Sequence, residues 1–194
     1  MSPGLSRSTS QPRIVGVDDG AFQVRRGTVG SAVIVAVLLH GSRISAGRVG
    51  RIQIDGTDAN SVLKALLKTM TYEVVMLSGI SFGGFNLVDI NRLSREVGKP
   101  VIAVIGGRPN NTAVRQALRG HFEDWKRRWR IVRSAGPLYS CRPLLKEPKV
   151  YFEVKGCSPS FARKLMTSSP KISRLPEPIR VAGLLARGLS SPVG

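Results

Sequence analysis

Acidic residues are scarce in this chain of 194 residues: 12 aspartates and glutamates face 30 lysines and arginines, for a formal net charge of +18. An excess of that size on a chain that is 42% hydrophobic excludes a disordered or fibrous protein and points to a folded binder of polyanions. Nucleic acid is the expected partner. The alternatives are acidic proteins and anionic membrane surfaces, and the latter lack support because no basic amphipathic helix carries an aromatic face. Cysteine and histidine are nearly absent. Cys141, Cys157, His40 and His121 are the full set, with no Cys-x-x-Cys, which argues against a structural zinc site and makes two buried thiols the simpler expectation. Long apolar runs are missing too. The longest, at 32–39, has the length of a strand and falls far short of the roughly 20 residues that span a bilayer. Residues 1–12 are rich in serine and proline without the apolar centre of a secretion signal, so a disordered tail on a cytoplasmic protein is expected. There is no internal repeat.

What the chain does contain is organised around residues 13–20. A short β-branched run reads as a buried strand and exits at Asp18-Asp19-Gly20. Two adjacent carboxylates repel unless something compensates, so the pair is either ordinary Asp-Gly turn chemistry or half of a cation or catalytic site. Residues 30–39 and 43–54 follow as a second and third strand, the third ending at Asp55-Gly56, which makes an antiparallel meander. The pattern then changes to alternation. A helix starts after Asp58, a buried strand covers 73–77 and leads into Ser78-Gly79-Ile80, a helix covers 86–97, and a strand covers 100–105, ending near Arg108. Such alternation implies parallel strands joined by crossovers. Helices at 112–119, 159–167 and 179–189, a strand at 150–154 and the stretch 122–130, where Trp125 and Trp129 interleave with Lys126, Arg127, Arg128 and Arg130, complete the chain. The tryptophans of that stretch are expected to pack inward with the charges forming a solvated face.

The predicted fold class is therefore α/β: a ribonuclease-H-like mixed sheet of three antiparallel strands followed by parallel strands with flanking helices. It occupies 13–189 as one domain, with short tails at 1–12 and 190–194. Several segments together resemble endonuclease V. They are the first strand with Val17-Asp18, the Gly98-Lys99-Pro100 strand start, Gly156-Cys157-Ser158-Pro159, and the string Pro176-Glu177-Pro178-Ile179-Arg180-Val181-Ala182. Gly16-Val17-Asp18-Asp19-Gly20, Asp55 to Asp58 and the segment containing Gly83-Gly84-Phe85-Asn86 are closer still to an uncharacterised, mainly archaeal relative of that enzyme, the family known as domain of unknown function 99.

The resemblance implies a metal-dependent endonuclease site in which Asp18 and Asp55 hold Mg²⁺ or Mn²⁺ and activate water. It also exposes two departures: Ser78 stands where an aspartate is expected, and Cys157 where endonuclease V has histidine. A hydroxyl is a poor Mg²⁺ ligand beside a carboxylate. Asp19 points away from Asp18 if the strand alternates, and Asp58 and Asp89 suit helix starts as well as they suit a site. Arg108 and Lys155, both just past strand ends, are candidate phosphate contacts. Arg180 neutralises Glu177, an acid of the site, or a phosphate. Three functions stay open: a nucleic-acid binder with impaired or altered catalysis, an active Mg²⁺-dependent endonuclease on DNA or RNA, or a structural or partner-binding subunit of a nucleic-acid assembly.

Overall fold

A computed structural model of the protein describes residues 11–22, 30–170 and 172–190. Most of the expected N-terminal tail, the tail at 191–194 and the expected turn at Gly27 lie outside the described residues.

Three strands open the chain. β1 (Arg13–Asp19) pairs antiparallel with β2 (Ser31–His40), which pairs antiparallel with β3 (Arg43–Gln53). β2 is buried from Ala32 to Leu39 because both of its faces are covered. Its even positions, such as Ile34 and Leu38, join a cluster with Leu63, Leu67, Ile90 and Leu93, while its odd positions, such as Val35 and Leu39, meet Ala182 and Ala186. β3 is an edge strand carrying exposed Arg43, Arg48 and Arg51, charges that discourage edge-to-edge pairing.

Alternation then sets in, as expected. α1 (Ala59–Lys68) leads to β4 (Val74–Leu77), which lies parallel to β1, and a small hairpin of β5 (Ser81–Phe82) and β6 (Asn86–Leu87) follows. α2 (Ile90–Val97) starts at Asp89, whose carboxylate accepts from the Asn91 and Arg92 N–H groups at 3.0 Å each, and stops at Gly98 in the left-handed conformation (φ 64°). β7 (Val101–Ile105) is parallel to β4. α3 (Asn111–His121) and α4 (Trp125–Ser134) pack as a pair before β8 (Tyr139–Cys141) and β9 (Val150–Lys155).

Here the parallel run stops. β9 lies antiparallel to β7 and β8 antiparallel to β9, giving the sheet order β3-β2-β1-β4-β7-β9-β8. α5 (Pro159–Ser168) is capped by Ser158, whose hydroxyl accepts from the Phe161 N–H at 3.2 Å. α6 (Glu177–Ser190) returns across the face of β1 and β2 opposite α1 and α2. It docks without intervening side chains: a Cβ on Gly16 would collide with the Pro178 carbonyl, one on Gly20 with the Ser190 side chain, and one on Gly183 with the Asp18 carboxylate. Both cysteines are free thiols.

Candidate functional site

The C-terminal ends of β1 and β4 lie side by side, with the Ser78 N–H donating to the Val17 carbonyl at 3.0 Å. Strand alternation then divides the acidic pair. Val15, Val17 and Asp19 share the parity of the α1–α2 face; Asp18 has the opposite parity and faces α6 at Gly183. Asp18 accepts from the Asp19 N–H at 3.0 Å and from the Ser78 hydroxyl, and the Arg187 guanidinium attracts it. Burial outweighs these contacts and pushes its carboxyl up to about 6.

Asp19 and Asp55 both grip one loop. The Asp19 carboxylate accepts from the Gly83 N–H at 2.6 Å, and burial raises its pKa. Asp55 stands in the left-handed region (φ 57°), accepts from the Phe85 N–H at 2.7 Å and donates its own N–H to the Gly83 carbonyl at 2.8 Å. The Asp58 carboxylate accepts from Asn86 Nδ2 at 2.5 Å and from the Gln53 N–H, so it ties the β5–β6 hairpin to β3 and makes no cap bond to α1. Asp89 caps α2 as described. The acids proposed for a cation thus all accept from backbone N–H groups, and Asp18 has in addition a hydroxyl and a guanidinium beside it. Among the described residues no three His, Cys, Asp or Glu side chains form a group able to hold a metal ion. These donors do not fit the two- or three-carboxylate Mg²⁺ or Mn²⁺ site that the resemblance implies.

The structure separates the three candidate cations. Arg108 is exposed just beyond the C-terminal end of β7, on the end of the sheet that carries Ser78. The expectation that Lys155 also flanks that end is corrected. Because β9 is antiparallel, Lys155 pairs with Val101, the first residue of β7, at the opposite end of the sheet, with its Nζ beside Gly136. Arg180 makes a two-point ion pair with Glu177, at 2.8 Å from Nε and 2.5 Å from Nη2, on the first turn of α6.

Two residues of the site region were not anticipated. Arg128, set in the basic stretch of α4, is 7% exposed. It donates to the carbonyls of Asp55 (2.9 Å), Gly56 (3.0 Å) and Phe85 (2.7 Å) and to the Asp124 carboxylate (2.7 Å), and it lies 4.2 Å over the Phe122 ring. One planar fork thereby fixes the turns on which Asp55 and Phe85 sit. Glu153, in the middle of β9, is 9% exposed, and its Oε2 has no hydrogen-bond partner among the described residues. It lines a largely apolar cavity of about 230 Å³ whose walls include Ser78, Ile80, Phe85, Val114 and Val132. Burial pushes its carboxyl up to about 7, against the pull of Lys155.

A family model described as endonuclease dU matches residues 10–190. The chain belongs to the endonuclease dU family. A UPF0215 protein of Thermococcus gammatolerans is 37% identical to this endonuclease dU family member over 179 residues, 90% of each chain. The crystal structure of a protein of unknown function from Archaeoglobus fulgidus matches with a TM-score of 0.81 at 31% identity, covering 92% of this chain and 98% of that one. Endonuclease V of Ciona intestinalis, crystallised with a 24mer DNA containing an inosine followed by a ribo-adenosine, matches with a TM-score of 0.57 at 16% identity, covering 95% and 87%. At that identity the likeness establishes the fold, and the expected ribonuclease-H-like, endonuclease V-type sheet holds for this endonuclease dU family member. None of its described helices is long and apolar enough to cross a membrane.

Proposed function

We propose that this endonuclease dU family member is a nucleic-acid-binding protein in which phosphodiester hydrolysis is impaired or altered relative to endonuclease V. The observation that carries this reading is the company Asp18 keeps: Ser78 supplies a hydroxyl and Arg187 a positive charge where a second carboxylate is needed to hold Mg²⁺ or Mn²⁺. The net charge of +18 supports attraction to a polyanion, and exposed Arg108 supports a phosphate contact at the Asp18 end of the sheet. In this reading Lys155 and Arg180 have structural roles, one at the far end of the sheet and the other paired to Glu177.

A second reading, an active metal-dependent endonuclease, is favoured by the family description itself, which suggests cleavage at deoxyuridine, and by the inosine-containing DNA of the Ciona complex. One experiment separates the two. Labelled oligonucleotides carrying deoxyuridine, deoxyinosine or neither are tested for binding across a salt series and for cleavage with Mg²⁺ or Mn²⁺, with Asp18→Ala in parallel. The first reading expects binding that weakens steeply with salt and little cleavage. Rapid cleavage lost in Asp18→Ala selects the second. Cleavage that survives Asp18→Ala removes Asp18 from the chemistry in both.

A further inference from the structure

The basic stretch of α4 is only partly explained by Arg128. With that residue turned inward, the remaining cations of the α3–α4 pair face outward: Arg115 and Arg119 on α3, and Lys126, Arg127, Arg130 and Arg133 on α4. None of the six has a carboxylate partner among the described residues, whereas Arg13, Arg92, Arg128 and Arg180 are each paired with an acid. Cations left unneutralised side by side repel one another, and a polyanion relieves that repulsion.

The tryptophans pack only partly inward. Trp125 and Trp129 are half-buried, one helical turn apart on α4, and cations lie over their rings. Arg115 sits 6.0 Å from the Trp129 centroid, and Arg119 and Lys126 sit 5.4 and 5.9 Å from that of Trp125. Beside them runs an open groove of about 390 Å³ lined by Lys126, Trp129, Arg130, Arg133 and Ser134, with no acid among its walls. Rings and planar guanidinium groups alternate along this surface, and both stack on nucleobases while the charges meet phosphates.

The position is as telling as the composition. Val114 and Val132 line the cavity that Ser78 borders, and their neighbours Arg115 and Arg133 belong to the outer surface. The Arg128 hydrogen bonds lock α4 onto the turns at Asp55, Gly56 and Phe85. These contacts seat α3 and α4 beside the Ser78 end of the sheet, with their cationic face turned to solvent.

We propose that the outer face of α3 and α4 is a single-stranded nucleic-acid platform, on which bases stack against Trp129 and the arginines, and the backbone is held by Lys126, Arg130 and Arg133. This rests on the nucleic-acid-binding reading above and requires no cleavage. The test exploits the fact that Trp125 and Trp129 are the two tryptophans of the whole sequence, so intrinsic fluorescence reports on this face. A short oligothymidylate is titrated into the full-length protein, and anisotropy of an end-labelled copy measures total binding independently. The platform predicts a change in tryptophan fluorescence that saturates together with the anisotropy. Trp129→Leu weakens binding about 5- to 150-fold, the range for losing one stacked base. Arg130→Ala/Arg133→Ala, on the solvent side of α4 where folding is undisturbed, makes the slope of log K against log salt shallower by about 1.4. Binding by anisotropy with unchanged tryptophan fluorescence, or an unchanged salt slope in the double variant, overturns the platform and leaves nucleic-acid binding standing. No binding in either readout at low salt overturns both.

Discussion

Replacing Glu153 by glutamine reports on a buried carboxyl that is incompletely partnered among the described residues. The Glu153 side chain is 9% exposed with Oε2 unpartnered, and its carboxyl is shifted from 4.5 to about 7 by burial. Below about pH 4.5 the group is protonated in both folded and unfolded chains and contributes no penalty. Between 4.5 and 7 the unfolded chain releases the proton and the folded chain retains it, so stability falls as pH rises. Above 7 both forms are ionised and the loss is complete, at roughly 3 kcal/mol, from 1.36 kcal/mol per pH unit. Glu153→Gln removes the titration. Its amide carries whatever cost an unpartnered polar group has in that cavity, but carries it equally at every pH. The expected result is that the stability difference, variant minus wild type, climbs by roughly 3 kcal/mol between pH 4.5 and 8. In thermal melts that is a relative gain of roughly 6–12 °C in Tm for a chain of this size. Urea unfolding at several pH values isolates the effect, because Asp18 and every other titrating group cancel in the difference. A difference that stays flat across this range refutes the reasoning: it would mean that the carboxylate is solvated or paired in the folded protein.

Arg128→Ala strips the hydrogen bonds from three carbonyls and leaves Asp124 without its partner; a loss of about 3–5 kcal/mol is expected in urea unfolding, and Arg128→Lys does not restore it, because a point charge cannot span the same acceptors. Gly183→Ala is expected to destabilise by about 1–3 kcal/mol even though alanine is the better helix former, since its methyl group meets the Asp18 carboxylate; a gain in Tm would show that α6 does not dock this closely. Ser78→Asp returns an acid to the neighbour of Asp18. Without metal the repulsion lowers Tm; with Mn²⁺ at about 100 times its dissociation constant roughly 2.7 kcal/mol is recovered, whereas the wild type shows no comparable Mn²⁺ response in the same melt.

Much of the frame was legible in the sequence. The β-branched run of β2, the alternation that sends Asp18 and Asp19 to different faces, and the cap at Ser158 follow from local chemistry, and local chemistry prevailed. Strand direction did not follow. A buried strand reads alike whichever way it runs, and for that reason Lys155, expected at the site end of the sheet, lies at the other. Asp55 was recognised as a strand terminus, but its carboxylate is held by the Phe85 N–H, 30 positions away, and no local pattern records that contact. Arg128 and Glu153 did leave signals. Arg128 shares a helical face with Ile131, Val132 and Ala135, which marks it as inward-facing among cations that otherwise look the same. Glu153 interrupts an apolar strand, and a lone acid there is costly enough to call for an explanation.

The glycine-mediated docking of α6 on β1 has a consequence for how the protein is made. Asp18 belongs to the first strand, and the helix that surrounds it is the last element described. While the ribosome is still adding residues beyond β9, the meander can form, but the face of β1 and β2 that α6 covers stands open. The contact of Asp18 with Arg187 and the closed packing at Gly16 and Gly20 arrive only once α6 has been made. A chain truncated before α6 retains every residue of the meander and the hairpin, yet it lacks both Arg187 and the Gly183 backbone that packs on the Asp18 carboxylate.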